Sequence, residues 1–292
     1  MEKTARTGVI LRCSRRIRWA LMLALLAYLA VSTYFWSIQR SKMYEPSAIM
    51  QTTPDRLGMK YEQLTIPSGS GAARGELHTW WIPAAQADAP TLLYLHGNKD
   101  NISHLIGHTQ RLHDAGYNLL LPDYRGYGKS TGGEPDETRM YEDAEAAWNY
   151  LLQNHRQDLK RTFIYGHSLG GAIGIELALR HPEAAGLIVE GAFTSMRVMA
   201  EAEYSWLPVD TLLTQHFDSL SKVGRLKVPV LFIHGTWDKR IPYQMSQQLY
   251  EQAASPKTIK LIEGGEHNNS STVGLLEYRA AFNEFTQRNS LR

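Results

Sequence analysis

The chain has 292 residues, of which 43% are hydrophobic and 21% are charged, and its formal net charge at pH 7 is +2. This composition is typical of a globular protein and excludes a disordered chain. The near-neutral charge gives no reason to expect a nucleic-acid partner, and the single cysteine, Cys13, excludes an intrachain disulfide bond.

The first informative element is an uncharged run of twenty residues, 19–38, with aromatic side chains at both ends. As a helix, this run would be about 30 Å long, which matches the hydrocarbon core of a bilayer. Basic residues are concentrated before it, so residues 1–18 are predicted to be a cytoplasmic tail and the rest of the chain to be exported to the periplasm or a lumen. We therefore predict a single-pass membrane anchor, followed by a linker at 39–59.

Two alternatives to the anchor remain. Residues 30–32, Ala-Val-Ser, fit the cleavage site of a signal peptide, in which case the mature protein would be secreted. The uncharged run is longer than the roughly 7–15 apolar residues of a signal peptide, however, and bulky aromatic residues follow the candidate site. The other alternative is a buried helix of a soluble protein.

From residue 60 onward, short apolar runs alternate with amphipathic stretches. Two runs around the glycine-rich segment 68–74 predict an antiparallel hairpin. Later strands are predicted at 91–95, 117–121, 162–165, 186–190, 228–234 and 258–262, and helices at 102–115, 137–154, 169–180, 243–253 and 275–288. This order predicts one α/β domain, residues 60–292, with a mostly parallel, doubly wound sheet and an antiparallel N-terminal edge strand.

The strongest motif is Gly166-His167-Ser168-Leu169-Gly170, which matches Gly-x-Ser-x-Gly and lies between a predicted strand and an apolar helix. A serine on such a sharp turn adopts a strained backbone conformation that exposes its hydroxyl, and the flanking glycines allow the helix and the strand to approach closely. The helix also directs its amide dipoles toward developing negative charge. The motif therefore predicts Ser168 as a nucleophile.

A serine hydroxyl needs a base, and the base needs an acid that orients it. In this architecture the three residues occur in the order Ser, Asp or Glu, His. Asp238 and His267 each follow a predicted strand, so both are expected at the same sheet edge as Ser168. We predict His267 as the base and Asp238 as the acid, with Glu190, at another strand end, as the alternative acid.

An oxyanion hole needs two backbone N–H donors that point at one position. One donor is expected from Leu169, directly after the nucleophile. The other is expected from Asn98, in the loop after the strand at 91–95.

The chain resembles the α/β-hydrolase superfamily, in particular its single-pass, membrane-anchored serine hydrolases. Five motifs occur in the order of that superfamily, at 96–98, 123–130, 166–171, 234–238 and 265–267, and the resemblance extends over about residues 60–288. It implies a Ser168–His267–Asp238 triad with Asn98 and Leu169 at the oxyanion hole. It also implies that the motif at 123–130 is a structural loop.

The connection between Glu190 and Val228 is 37 residues long, which is unusual in a compact domain. Part of it is apolar and includes Met199 and Trp206. These side chains predict either ordinary core packing or a small cap, at about 194–216, that covers the nucleophile and binds an acyl group.

The sequence predicts hydrolysis of a carboxylic ester or thioester, with an acyl lipid, an acylated protein or a small ester as the substrate. Haloalkane and epoxide hydrolysis in this fold need an aspartate nucleophile, and Ser168 argues against both. A serine peptidase or amidase, and a non-catalytic binding protein on the same scaffold, are the alternatives.

No cofactor or metal is expected. His104, His108 and His113 share one predicted helix, but no cluster of carboxylates or cysteines accompanies them. The sequence contains no phosphate-binding glycine loop and no dinucleotide fingerprint.

Overall fold

The computed structural model of the chain describes residues 2–154 and 159–290, and side chains from residue 15 onward. Cys13 and three basic side chains of the predicted cytoplasmic tail, Lys3, Arg6 and Arg12, therefore lie outside the described side chains.

The strands of the described residues are, in chain order, β1 (Glu45–Pro46), β2 (Glu62–Ser68), β3 (Gly75–Ile82), β4 (Thr91–Leu95), β5 (Lys99–Asp100), β6 (Asn118–Pro122), β7 (Thr162–His167), β8 (Gly186–Glu190), β9 (Val230–Gly235) and β10 (Lys257–Ile262). The helices are α1 (Glu2–Met43), α2 (Ile106–Asp114), α3 (Glu137–Asn154), α4 (Leu169–Arg180), α5 (Met196–Glu203), α6 (Val209–Leu212), α7 (Ser219–Val223), α8 (Gln244–Gln252), α9 (Ser270–Val273) and α10 (Leu275–Asn289). Short 3₁₀ turns occur at Pro54–Leu57, Gly71–Ala73, Ile102–Leu105 and Leu159–Arg161.

Eight strands form one sheet in the spatial order β10-β9-β8-β7-β4-β6-β3-β2. Neighbouring strands from β10 to β6 are parallel, whereas β3 pairs antiparallel with both β6 and β2. The predicted fold class, a mostly parallel sheet with an antiparallel N-terminal edge, is confirmed. β1 and β5 form a separate two-stranded parallel sheet.

The central strands are buried at every position, as expected for parallel strands that are covered on both faces. Because successive side chains of a strand point to opposite faces, each strand contributes to two cores. In β4, Leu93 packs in one apolar cluster with Trp148 of α3, whereas Leu92 and Tyr94 pack in a second cluster with Phe282 of α10.

The helix predicted at 102–115 is divided. It begins with the 3₁₀ turn Ile102–Leu105, which is capped by the Asn101 side chain as it accepts a hydrogen bond from the Ser103 N–H, and it continues as α2. The chain leaves α2 at Gly116, whose φ of 95° is a conformation that favours glycine.

The N-terminal helix differs from the expectation in length. Residues 15–43 form one helix that is long and apolar enough to cross a membrane, and only 6% of its most apolar window is buried. That exposure argues against a buried helix of a soluble protein. The segment expected as a linker, 39–59, instead continues α1 to Met43 and then packs on the domain, where Tyr44 and Met59 are each 3% exposed.

Candidate active site

Ser168 lies on the sharp turn between β7 and α4, with φ 55° and ψ −120°. A positive φ is rare for a residue with a side chain, and such strain is a feature of functional sites. The Ser168 N–H donates to the carbonyl of Glu190 at 2.8 Å, which fixes the turn against the end of β8. The turn has the conformation expected of a nucleophile elbow.

The glycines of the motif are required by the packing of α4 on the sheet. A Cβ on Gly166 would overlap the carbonyl oxygen of Gly170, and a Cβ on Gly170 would overlap the carbonyl oxygen of Leu95. The close approach places the first turn of α4 directly at the ends of β7 and β4.

The structure brings the three predicted triad residues together. The Ser168 hydroxyl lies 3.0 Å from Nε2 of His267, and Nδ1 of His267 lies 2.6 Å from Oδ2 of Asp238. His267 follows β10 and Asp238 follows β9, so the ends of neighbouring parallel strands position both groups. All three side chains lie at the carboxyl edge of the sheet, where ligand sites form in this class of fold.

Asp238 is held by several donors. Its Oδ1 accepts hydrogen bonds from the N–H groups of Arg240 and Ile241, at 2.8 and 2.9 Å. Its Oδ2 also lies 3.1 Å from Nε2 of His234. Burial by itself would raise the pKa of the Asp238 carboxyl, but the hydrogen bonds from His234 and His267 outweigh burial and hold this pKa well below its usual range.

His167 is a further residue of the site, which was not predicted from the sequence. Its Nε2 lies 2.9 Å from the carbonyl oxygen of His267, so this imidazole holds the loop that carries the candidate base. Burial lowers the pKa of His167, which favours the neutral ring as a hydrogen-bond donor. The sequence contained one signal for this role, namely a polar residue at the second position of the Gly-x-Ser-x-Gly motif, directly beside the nucleophile.

Glu190, the alternative acid, has different partners. Its carboxylate accepts hydrogen bonds from the hydroxyl groups of Tyr165 and Tyr278, both at 2.7 Å, and the residue is 4% exposed. The Nδ1 atom of His267 is already paired with Asp238. The geometry therefore favours Asp238 as the partner of the base.

The two candidate oxyanion-hole residues lie beside the nucleophile. Asn98 and Leu169 line the same pocket as Ser168. The loop of Asn98 is held from two sides, because its carbonyl accepts from the Tyr127 hydroxyl at 2.8 Å and its side-chain amide donates to the carbonyl of Met43 at 2.9 Å.

A pocket of about 460 Å³ leads to Ser168. Met199 and other residues of the predicted cap form one wall, and α1 forms another with side chains at helical spacing, namely Phe35, Trp36, Gln39, Lys42 and Met43. The contribution of α1 was not predicted, because the uncharged run fits a membrane span and the residues after it were expected to form a linker. Trp206, expected in the pocket, is not among the described lining residues; it is 53% exposed and packs edge-on against Phe35.

The loop at 123–130 is tied into the scaffold. Asp123 accepts hydrogen bonds from the N–H of Ile102 at 2.9 Å and from His78 at 3.0 Å. The guanidinium of Arg125 is buried and pairs with Asp143 and Glu142, each at 2.6 Å. These contacts support the structural role that the resemblance implies.

Of the three histidines near α2, His108 has a clear structural role. Its ring lies 2.8 Å from the Tyr94 hydroxyl and 3.1 Å from the Tyr278 hydroxyl. Among the described side chains, those of residues 15–154 and 159–290, no three His, Cys, Asp or Glu are grouped so that they could hold a metal ion.

Comparison with known proteins identifies one family and several relatives. Residues 86–221 and 211–270 match the family Hydrolase_4, described as "Serine aminopeptidase, S33". An uncharacterised protein of Mycobacterium tuberculosis is 32% identical over 258 residues, which cover 87% of this chain and 90% of that protein. The lysophosphatidylserine lipase ABHD12 of Danio rerio is 30% identical over 217 residues, covering 67% of this chain and 56% of the lipase.

Solved structures agree with these sequence matches. The esterase Pf2001 of Pyrococcus furiosus superimposes with a TM-score of 0.68, covering 84% of this chain and 98% of the esterase. The sequence identity is 21%, so this similarity concerns the fold.

Proposed function

We infer that this chain, which belongs to the serine aminopeptidase S33 family of α/β-hydrolases, is a hydrolase. We propose that it is a serine hydrolase that cleaves a carboxylic ester or thioester through an acyl-enzyme intermediate. The acyl group binds in the apolar pocket next to Ser168.

In the proposed mechanism, the Ser168 hydroxyl attacks the carbonyl carbon of the substrate while Nε2 of His267 takes its proton. Asp238 holds the imidazole in the tautomer that can accept this proton and stabilises the imidazolium. The backbone N–H groups of Leu169 and Asn98 stabilise the negative oxygen of the tetrahedral intermediate. His267 then protonates the leaving group, and a water molecule activated by His267 releases the acid.

One observation supports this proposal most strongly. A continuous chain of hydrogen bonds leads from Ser168 through His267 to Asp238, with distances of 3.0 and 2.6 Å. A serine in ordinary structural use would not need a strained backbone, a histidine within hydrogen-bond reach and a carboxylate behind that histidine.

The lining of the pocket favours an ester with an apolar acyl group as the substrate. Apolar side chains of the cap, such as Met199 and Leu213, line the pocket together with Phe35 of α1. A peptidase or amidase uses the same triad, and the family description names an aminopeptidase. An apolar acyl pocket fits a fatty acyl ester better than a peptide, whose backbone groups need hydrogen-bonding partners.

The activity is tested first with a fluorophosphonate probe on membranes that contain wild-type protein or Ser168→Ala. Labelling of the wild type alone would support an activated serine, and a panel of esters, thioesters and amides then ranks the substrate classes. Absence of labelling in folded wild-type protein would contradict the proposal and favour a binding protein. Faster cleavage of amides than of esters would favour the peptidase.

We further propose that residues 19–38 of α1 anchor the chain, with residues 1–18 in the cytoplasm and the catalytic domain exported. Cys13 is the single cysteine, so it reports on this topology. A membrane-impermeant maleimide should label the protein only after the cells are opened. Labelling of intact cells would contradict the orientation, and a mature protein that lacks Cys13 would show that the segment is a cleaved signal.

A further inference from the structure

The cap contacts α1 within the uncharged run as well as at the C-terminal end of the helix. The Tyr28 hydroxyl donates to the carbonyl oxygen of Trp206 at 3.4 Å, and the Phe35 ring packs against Tyr204 and Trp206, with centroid distances of 5.2 and 5.6 Å. Ser32 is the one buried side chain within residues 15–43, at 6% exposure. Tyr28, Ser32 and Phe35 lie at helical spacing, so one face of α1 is in contact with the rest of the protein over about two turns.

A second set of contacts fixes the cap at the end of α1. The Gln39 amide donates to the carbonyl of Leu212 at 3.2 Å, and its oxygen accepts from the N–H and the hydroxyl of Thr214, at 2.8 and 3.1 Å. The Tyr44 hydroxyl donates to the side chain of Gln215 at 2.8 Å. The position of the cap along the helix axis is therefore set by specific hydrogen bonds.

If residues 19–38 cross the membrane, these contacts determine the depth of the cap in the bilayer. Ile38 is the last residue of the uncharged run, and Arg40 follows it. At 1.5 Å per residue, Phe35 lies about 5 Å and Tyr28 about 15 Å from Ile38 toward the middle of the run. Trp206 contacts both side chains, so it lies at a depth between them, within the part of α1 that is proposed to cross the membrane.

The composition of the cap fits that depth. Residues 204–209, Tyr-Ser-Trp-Leu-Pro-Val, carry no charge, whereas Glu203 precedes them and Asp210 follows them. Trp206 is 53% exposed on the protein surface. Tryptophan and tyrosine are the side chains that prefer the boundary between water and lipid, and amphipathic surface elements typically enter the bilayer by about 5–10 Å.

We propose that residues 204–207 of the cap insert into the exported leaflet of the membrane beside α1, so that the pocket of Ser168 opens into lipid. Tyr204 and Leu207 line the pocket on one side of this opening, and Phe35 lines it on the other. The partner of this surface is the lipid bilayer, and the substrate is an amphiphilic ester that enters sideways from the leaflet with its acyl chain between α1 and the cap. This inference rests on the proposed anchor and on the proposed ester hydrolysis.

Insertion is measured without reference to activity. An environment-sensitive fluorophore is attached to Trp206→Cys in a Cys13→Ser background, and the protein is reconstituted in phosphatidylcholine vesicles that contain lipids with a spin label at known depths in the acyl chain. Quenching by these lipids is expected at position 206. The matched control is Leu276→Cys on α10, because Leu276 is apolar and even more exposed, at 82%. Lack of quenching at 206, or equal quenching at 276, would overturn the insertion.

The route of the substrate is tested by a charge at the opening. Trp206→Glu should lower hydrolysis of a long-chain monoacylglycerol in vesicles at least tenfold relative to hydrolysis of a short, water-soluble ester. Leu276→Glu should leave this ratio unchanged, and fluorophosphonate labelling of Ser168 shows that each variant is folded. An unchanged ratio in Trp206→Glu would overturn entry from the leaflet. If wild-type protein cleaves neither ester, the proposed hydrolysis fails, and the quenching experiment still decides the insertion.

Discussion

Gly170, in the first turn of α4, lies against the end of β4 so closely that a side-chain carbon on it would overlap the carbonyl oxygen of Leu95. The obstacle is backbone, which cannot rotate away as a flexible side chain would. This contact joins the helix that follows the nucleophile to the strand that leads to Asn98. The relative position of the two candidate oxyanion donors therefore depends on the absence of a side chain at position 170.

Gly170→Ala should destabilise the protein, because the helix must move away from the sheet. The loss of unfolding free energy should be about 1–3 kcal/mol or more, which is typical of overpacking. The matched control is Gly107→Ala in α2, where the nearest heavy atom, 3.8 Å from the new Cβ, belongs to the flexible Arg111 side chain. That change should stabilise the helix by up to about 1 kcal/mol. Urea denaturation of both variants measures the difference, and equal stability would contradict the proposed contact.

His267→Ala should remove the base and leave the fold intact. Because the members of a triad act as a unit, kcat should fall by about 10⁴-fold or more. Hydrolysis of a soluble ester and fluorophosphonate labelling measure the loss, and thermal unfolding checks the fold. Retention of more than a few per cent of wild-type kcat would contradict the role of His267.

Asp238→Asn and Glu190→Gln separate the two candidate acids. Asp238→Asn should lower kcat by about 10⁴-fold, because the amide can hold the imidazole in the wrong tautomer. Glu190→Gln should mainly lower stability, by about 1–3 kcal/mol, because it disturbs the buried hydrogen bonds from Tyr165 and Tyr278. Steady-state kinetics and urea denaturation of both variants provide the test. A larger kcat loss in Glu190→Gln than in Asp238→Asn would reverse the assignment.

The pH profile should have a single acidic limb. Since the pKa of Asp238 is held well below its usual range, this carboxylate stays ionised throughout the working pH range. The Asp238 carboxylate therefore contributes no acidic limb of its own, and because a general base acts only in its neutral form, kcat/KM should rise with pH and then reach a plateau. An initial-rate series on a soluble ester checks the profile. A slope of two protons on the acidic side, or a flat profile, would contradict this arrangement.

Met199→Phe should shift the acyl-chain preference toward shorter esters, because a larger, stiffer side chain reduces the volume of the pocket next to Ser168. The measurement is kcat/KM for a series of esters from acetyl to palmitoyl. Met245→Phe is the control, because Met245 packs on the core without lining the pocket. An identical shift in both variants would point to a general effect on the domain.

The strands and the nucleophile turn were accessible from sequence because they depend on local patterns. The apolar run of β7, the glycines around Ser168 and the apolar α4 are consecutive in the chain, and their spacing alone predicts the turn. Asp238 and His267 were found in the same way, since each directly follows a predicted strand. The distance between their side chains still required the structure.

Contacts between segments that are far apart in the chain could not be predicted from the sequence. Gln39 and Thr214 are separated by 175 residues, and the uncharged run of α1 already had a sufficient explanation as a membrane span. Trp206 was expected beside Met199 because both lie in one apolar stretch. In the structure α5 ends at Glu203, and Tyr204 has φ −124° and ψ 48°, so the helical period no longer applies at Trp206.

The direct continuation of α1 into the wall of the pocket affects how a membrane-anchored form of this protein would meet its substrate. A flexible tether would let the catalytic domain sample the solution, whereas a continuous helix keeps Ser168 at a constant height above the bilayer midplane. Encounter then becomes a search in two dimensions, and turnover depends on the mole fraction of substrate in the leaflet instead of its bulk concentration.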